Sequence, residues 1–314
     1  MSVARVFVTR KLPGAAVDRL AAEHDLTVWP ERLPPPRRDL WARASESEGF
    51  LTMLNDRIDA ELIAAVEPLR AISNYAVGVD NVDVAAATGR GIPVGHTPGV
   101  LTETTADLAV ALMLGSARRL LEGDASVRRG DWLTWEPRRL LGRDLHDATV
   151  GIVGMGRIGR AVAKRVEGFG CRVLHTSSAG GVPLPQLLAS SDFVTLHCPL
   201  TPDTRGLIGD EALALMKPTA YLINTARGPI VDTPALVRAL HAGAIAGAAL
   251  DVTEPEPLPA GHVLAAVPNT LLLPHLGSAT IATREAMAGM AVDNLRAALA
   301  GERMPYCANP EVYR

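Results

Sequence analysis

Three short segments in the second half of the chain combine residue types able to hold a carboxylate and move a proton. The first, Asn224-Thr225-Ala226-Arg227-Gly228, carries an arginine. A planar guanidinium pairs with a carboxylate through two parallel hydrogen bonds and can polarise an adjacent carbonyl. The second, Asp251-Val252-Thr253-Glu254-Pro255-Glu256-Pro257, supplies two glutamates, and the third, Leu273-Pro274-His275-Leu276-Gly277-Ser278, a histidine. An arginine alone is commonly a surface residue, and a histidine alone after a strand is commonly structural. A histidine within reach of a glutamate is different, because the carboxylate favours the protonated ring and fixes its tautomer. Such a ring can protonate a carbonyl oxygen as hydride reaches the carbon, and takes the proton back in the oxidative direction. All three segments follow β-rich runs, at the strand ends where open α/β sheets bind ligands.

A fourth segment implies the source of that hydride. Gly151-Ile152-Val153-Gly154-Met155-Gly156-Arg157-Ile158-Gly159 places GxGxxG directly after an apolar run and before a helical pattern, Ala161–Val166. The glycines serve a tight turn, close approach of backbone to a pyrophosphate, and close packing of helix on strand. The helix start then offers free N–H groups to phosphate. Residues Gly154, Met155, Gly156, Arg157, Ile158 and Gly159 are therefore expected to cradle a dinucleotide. The acidic residue that binds the adenosine ribose should end the next strand, about 20 residues on. That place falls on Ser177, followed by Ser178, with no Asp or Glu beside them. A carboxylate would repel a 2′-phosphate, so its absence leaves room for NADP, although Ser178-Ala179-Gly180-Gly181 adds no arginine. The reading favours NADPH, with NADH as the alternative.

The elements that must position these residues alternate short strands with longer helical patterns, the mark of α/β architecture with parallel sheets. Strands are expected at Val3–Thr9, Leu26–Trp29, Gly49–Leu54 and Arg70–Ser73, with helices after Pro13-Gly14 and over Asp59–Val66. Pro34-Pro35-Pro36 reads as a rigid break. After Pro98-Gly99 a long helix is expected, with Thr102 and Glu103 as capping chemistry and helical apolar spacing from Ala106 through Leu121. A loop with Trp132 and Trp135 follows. Strands then recur at Ala148–Val153, Cys171–Thr176, Phe193–Cys198, Tyr221–Thr225, Gly247–Asp251 and Thr270–Pro274. The last helix, near Arg284–Ala300, has no strand after it and is expected to return to the first domain. Two doubly wound parallel-sheet domains result, one Rossmann-like and one flavodoxin-like. The first is discontinuous, residues 1–98 plus 284–314, and the second spans 99–283.

Composition narrows the partners. Of 314 residues 48% are hydrophobic and 21% charged, which suits a folded chain and not a disordered one. A net charge of −3 gives no general attraction to nucleic acid or anionic membrane. The apolar run at the N-terminus is too short for a signal peptide, and no stretch nears the roughly 18 apolar residues of a spanning helix. Cys171, Cys198 and Cys307 are an odd, scattered set without metal-ligand spacing. They point to a reducing compartment, the cytoplasm, and no metal site is expected.

Along nearly its whole length the chain resembles the D-isomer-specific 2-hydroxyacid dehydrogenases. The matching runs are Gly78-Val79-Asp80-Asn81-Val82-Asp83, the glycine fingerprint, Cys198-Pro199-Leu200-Thr201-Pro202-Asp203-Thr204, and the arginine, glutamate and histidine segments at 224–228, 251–257 and 274–278. The resemblance implies Arg227, Glu256 and His275 as the catalytic set, and its spacing selects Glu256 over Glu254. It is nearest to the glyoxylate/hydroxypyruvate reductases of that family, through residues 94–106, 132–137 and 251–259. It further implies that Val77-Gly78 backbone binds the substrate carboxylate, with Arg227 and His275 as its other contacts. Cys198, Pro199, Thr204, Thr225, Ala226, Asp251, Gly277, Ser278 and Thr104 would line the cofactor. Trp135 would reach the active site of the partner subunit in a homodimer, and domain closure about hinges near Pro98 and Thr283 would exclude water. The expected reaction is NAD(P)H-dependent reduction of a small 2-keto acid, glyoxylate or hydroxypyruvate, to the D-2-hydroxy acid. The alternatives are a lactate-, phenylpyruvate- or phosphoglycerate-type dehydrogenase, a phosphite dehydrogenase, or a dinucleotide-sensing scaffold akin to the family's corepressor relatives.

Overall fold

The computed structural model describes residues 3–314, so the first two residues of the expected first domain lie outside it. In chain order the elements are β1 (Arg5–Val8), α1 (Ala16–Ala21), β2 (Asp25–Val28), α2 (Arg37–Ala44), β3 (Gly49–Thr52), α3 (Ala60–Ala65), β4 (Ala71–Asn74), α4 (Val84–Gly89) and β5 (Val94–Gly95). The helices α5 (Thr102–Ala117) and α6 (Leu120–Arg128) follow. Next come β6 (Thr149–Val153), α7 (Arg157–Glu167), β7 (Arg172–Ser177), β8 (Gly180–Gly181), α8 (Leu184–Ser190), β9 (Phe193–Leu196) and α9 (Asp210–Leu215). The chain closes with β10 (Tyr221–Asn224), α10 (Thr233–His241), β11 (Gly247–Leu250), β12 (Thr270–Leu272) and α11 (Ile281–Leu299). Contacts divide it into two units, one running to Leu101 and resuming over Ala279–Arg314, the other spanning Thr102–Ser278. The limits expected from the sequence lie at 98 and 284.

The first unit is a five-stranded sheet in the order β2-β1-β3-β4-β5, parallel throughout. One face is covered by α11 and α1, through Leu20, Ala288, Ala291, Val292 and Leu295. The other packs under α2, α3 and α4 through Leu40, Leu62, Ile63 and Ala87. The second unit is a seven-stranded sheet in the order β12-β11-β10-β9-β6-β7-β8, and only β8 runs antiparallel. Strands β9, β10 and β11 are buried along their whole length, as parallel strands covered on both faces must be. Strand order reverses at β6, between β9 on one side and β7 on the other. The crevice at that switch point is where doubly wound sheets take ligands.

The structure corrects one expected element. The helix read from Ala106 through Leu121 stops at Ala117 and restarts at Leu120. Between them Arg119 adopts a left-handed conformation (φ 54°), and the Ala117 carbonyl accepts its bond from Arg143 N at 2.9 Å instead of from the next helical turn. Glu103, expected to cap the helix, reaches sideways to Arg165 of α7 (2.7 Å), and Asp107 joins the same guanidinium at 2.6 Å. These pairs tie the first turns of α5 to the last turn of α7.

Candidate active site

The glycine turn is shaped by contacts that exclude side chains. Gly154 sits at φ 98°, and a Cβ there would come within 2.5 Å of Cys198 N. The β6 turn is thereby pressed onto the end of β9 at the switch point. Gly159 packs so closely that a Cβ would overlap the Gly154 carbonyl. Gly156 is the opposite case, since a Cβ there would meet nothing within 4 Å. It is the N-cap of the 11-residue α7, makes no side-chain cap, and has no acid in the turn that follows. The first N–H groups of α7 therefore open onto free space at the positive end of a helix, the chemistry a pyrophosphate requires. The residues present fit a dinucleotide. Met155 and Ile158 pack against the hydrophobic core beneath, and Arg157 is exposed at the first position of α7.

At the end of β7 the chain turns back at once into β8, pairing Ser177 with Gly180. The Ser177 hydroxyl donates to the Gly180 carbonyl at 3.1 Å, with Ser178 in the turn. Sequence reading missed this antiparallel edge, because two glycines carry no strand propensity.

His197 and Cys198 follow β9. His197 lies between the hydroxyls of Thr195 (2.9 Å from Nε2) and Thr225 (3.5 Å from Nδ1), and burial pushes its pKa down to about 4. The half-buried Cys198 thiol is pushed up, also by burial. Thr204 folds back on its own turn, accepting from Thr201 N (2.8 Å) and donating to the Pro199 carbonyl (2.7 Å).

Arg227 is presented by a turn that Asn224 ties down. Asn224 Oδ1 accepts from Ala226 N at 2.9 Å, while its Nδ2 donates to the Arg227 carbonyl at 2.8 Å. Arg227 itself donates from Nη1 to the Ala226 carbonyl at 2.8 Å. Gly228 explains the next letter of that motif: a Cβ there would overlap the Thr253 carbonyl. The arginine turn therefore lies directly against the segment that leads to Glu254 and Glu256.

His275 and Glu256 form a direct pair, with Nδ1 to Oε1 at 2.7 Å, the histidine half-buried and the glutamate at the exposed edge of the site. An ionised carboxylate only accepts, so Nδ1 carries the hydrogen and Nε2 is left to give or take a proton. Glu254 does not share this bond, and its carbonyl accepts from Thr233. His275 is held at φ 56°, a left-handed conformation that costs a non-glycine residue about 1 kcal/mol or more. Asp251 holds it there. The Asp251 carbonyl accepts from His275 N (2.9 Å), and its two carboxylate oxygens accept from Leu276 N (2.6 Å) and Gly277 N (2.8 Å). Burial raises the Asp251 pKa, opposed by these N–H donors and the nearby imidazole. Thr105 of α5 fastens the far side of the turn by donating to the Gly277 carbonyl at 3.0 Å. Ser278 follows directly at the end of the second unit, and Thr104 is the neighbour of Thr105 on α5. Sequence reasoning placed Asp251 beside the cofactor and missed its hold on the histidine turn, which no local pattern displays.

Val77 and Gly78 lie in the first unit, just past β4. Trp135 stands in the loop after α6 and is 77% exposed. Among the described residues no cluster of three or more His, Cys, Asp or Glu could hold a metal ion. No helix among them is long and apolar enough to cross a membrane.

The family model for the D-isomer specific 2-hydroxyacid dehydrogenase, NAD binding domain, matches residues 110–277 of this chain. A glyoxylate reductase of Korarchaeum cryptofilum is 47% identical, the alignment covering 99% of this chain and 97% of the relative. One from Thermococcus gammatolerans is 46% identical with the same coverage. Among solved structures, a protein from Thermus thermophilus is 51% identical, with a TM-score of 0.90 over 97% of this chain and 99% of its own. The NADPH-dependent glyoxylate/hydroxypyruvate reductase of Sinorhizobium meliloti, solved with NADP and malonate, is 32% identical with a TM-score of 0.84, covering 98% of each chain.

Proposed function

The chain belongs to the D-isomer specific 2-hydroxyacid dehydrogenase family, and within it we propose a reductase of glyoxylate and hydroxypyruvate that uses Arg227, Glu256 and His275. The observation that carries this reading is the 2.7 Å pair of His275 Nδ1 and Glu256 Oε1, which leaves Nε2 as the proton-bearing atom. Arg227 binds the keto-acid carboxylate and polarises the neighbouring carbonyl. Bound at the glycine turn, a reduced nicotinamide dinucleotide supplies the hydride that reaches the carbonyl carbon. His275 delivers the proton to the carbonyl oxygen from Nε2, and Glu256 stabilises the charged ring and holds its tautomer. Asp251 keeps the ring aimed. Val77 and Gly78 contribute backbone contacts to the carboxylate. Thr104, Cys198, Pro199, Thr204, Thr225, Ala226, Gly277 and Ser278 line the cofactor.

The cofactor we favour is NADPH, with NADH as the alternative. Ser177 and Ser178 stand where an acid would reject a 2′-phosphate, and the S. meliloti relative is NADPH-dependent. Ser177→Asp should move preference toward NADH by about ten-fold in kcat/KM, the size of one charged contact to ribose hydroxyls. An unchanged ratio would assign the choice to other residues. We also propose a cytoplasmic homodimer. Its support is the three free thiols and the exposed apolar side chains of α6 and the following loop, among them Leu120, Leu121, Trp132, Leu133, Trp135 and Leu141. Sedimentation velocity decides the oligomer, and a monomer at micromolar concentration would remove Trp135 from the partner's site.

The function is tested by following NADPH and NADH oxidation with glyoxylate, hydroxypyruvate, pyruvate, phenylpyruvate and phosphohydroxypyruvate. Glyoxylate and hydroxypyruvate should be the best substrates. Dinucleotide binding with no turnover on any of the five would overturn the reductase and favour a sensor.

A further inference from the structure

The run Gly78-Val79-Asp80-Asn81-Val82-Asp83 is only partly explained by the proposed function, which uses backbone at Val77 and Gly78. Where that run begins, two successive carbonyls, those of Val77 and Gly78, are pinned by side chains. His96 Nδ1 lies 2.9 Å from the Val77 carbonyl. A carbonyl only accepts, so the ring donates from Nδ1. Asn74 Nδ2 donates to the Gly78 carbonyl at 2.9 Å. Asn74 is completely buried and is itself held, since its Oδ1 accepts from the Thr52 hydroxyl at 3.0 Å and its Nδ2 also donates to Asn81 Oδ1 at 2.9 Å. Asn81 in turn donates to the Met53 and Asp56 carbonyls, each at 2.9 Å. The segment ends with the bonds Ile58 N to Asn81 O and Asp83 N to Ile58 O.

A peptide is planar and trans, so its N–H points opposite to its C=O. Pinning the Val77 carbonyl therefore turns the Gly78 N–H away from His96. Pinning the Gly78 carbonyl turns the Val79 N–H away from the buried Asn74. Neither N–H meets an acceptor among the described residues, and both residues are only half-buried. An N–H left without a protein acceptor at such a position can donate to an anion such as a carboxylate.

We infer that His96 and Asn74 are positioning residues that build a carboxylate-binding pair from the Gly78 and Val79 N–H groups. This rests on the proposed function only in naming that carboxylate as the 2-keto acid's. His96 is the better handle. Its backbone bonds, His96 N to Tyr306 O and Asn294 Nδ2 to His96 O, survive any substitution of the ring. Asparagine places its Nδ2 where histidine has Nδ1, so it keeps the donor and loses the ring.

The experiment compares wild type, His96→Ala and His96→Asn. It measures oxalate binding by calorimetry, KM and kcat for glyoxylate, and the Kd for NADPH. His96→Ala should weaken oxalate binding and raise the glyoxylate KM, each about ten-fold, the worth of one hydrogen bond to a charged group. kcat and the NADPH Kd should stay within about two-fold, since such a contact binds substrate and transition state alike. His96→Asn should restore both values. Wild-type oxalate affinity in His96→Ala would overturn the inference, as would an equal loss in His96→Asn, which would mark the ring as mere packing. Failure of the wild type to bind oxalate would overturn it too. Oxalate binding without reduction of any 2-keto acid would remove the functional reading and leave the N–H pair standing.

Discussion

At the scale of single residues, the site depends on groups that hold others in place. His275 is in a left-handed conformation because Asp251 accepts three backbone N–H groups, those of residues 275, 276 and 277. Asn at 251 would keep the carbonyl bond and one side-chain acceptor while setting an NH2 against the other N–H. Asp251→Asn should therefore lower stability by about 2 kcal/mol, the worth of a hydrogen bond to a charged group. It should also lower kcat by about 10–100-fold, more than the stability loss accounts for; denaturant titration beside steady-state kinetics checks both. His275→Ala should lower the reduction rate by about 10²–10⁴-fold, the usual contribution of a general acid. Its dinucleotide affinity, read by fluorescence titration, should be unchanged. A rate within a few-fold of wild type would remove His275 from the chemistry.

At the scale of elements, glycines decide which turns can touch. Gly154 lets the β6 turn meet the end of β9, and Gly228 lets the arginine turn meet Thr253. Neither contact has room for a methyl group. Gly228→Ala must push the arginine turn off the 253–254 backbone, at an overpacking cost of about 1–3 kcal/mol. Displacement of Arg227 should then raise the keto-acid KM by at least about ten-fold while dinucleotide binding holds. A crystal structure or a KM titration checks this, and an unchanged KM would show that the turn's position does not matter to substrate. The break between α5 and α6 has the same origin. The Ala117 carbonyl is taken by Arg143, which is distant in sequence, so the helix cannot continue past it.

At the scale of the whole molecule, the buried ring of His197 links folding to pH. Its pKa is pushed down to about 4 by burial, against about 6.5 in an unfolded chain. The folded state therefore disfavours the protonated ring. Stability from this group is fully present above pH 6.5 and is lost progressively as pH falls from 6.5 toward 4. His197 as a residue is half-buried, so the amount is on the order of 2 kcal/mol. His197→Gln should flatten the fall in melting temperature between pH 6.5 and 4.5 relative to wild type. A fall of equal steepness in both proteins would assign it to other groups.

What the sequence determined by itself was local, and so was the physics behind it. Strand-to-turn-to-helix patterning and the glycine spacing of residues 154–159 identify the dinucleotide turn, because the three glycines act within one short segment. The positions of Arg227, Glu256 and His275 after strands followed from the same alternation, with the family resemblance needed to choose Glu256 over Glu254. The 2.7 Å contact of Glu256 with His275 was not readable, since it joins residues 19 apart through the packing of two strand ends. Asp251's grip on the 275–277 turn, the hold of Asn74 and His96 on residues 77 and 78, and the end of α5 at Ala117 were likewise decided only by tertiary structure. Each is a hydrogen bond between segments distant in sequence, and a residue's type says what it can donate or accept without saying which distant backbone will arrive to meet it. The short helices α2 and α4 and the edge strand β8 escaped for a related reason. Too few residues repeat to set a period, and their form is set by the sheet they cover.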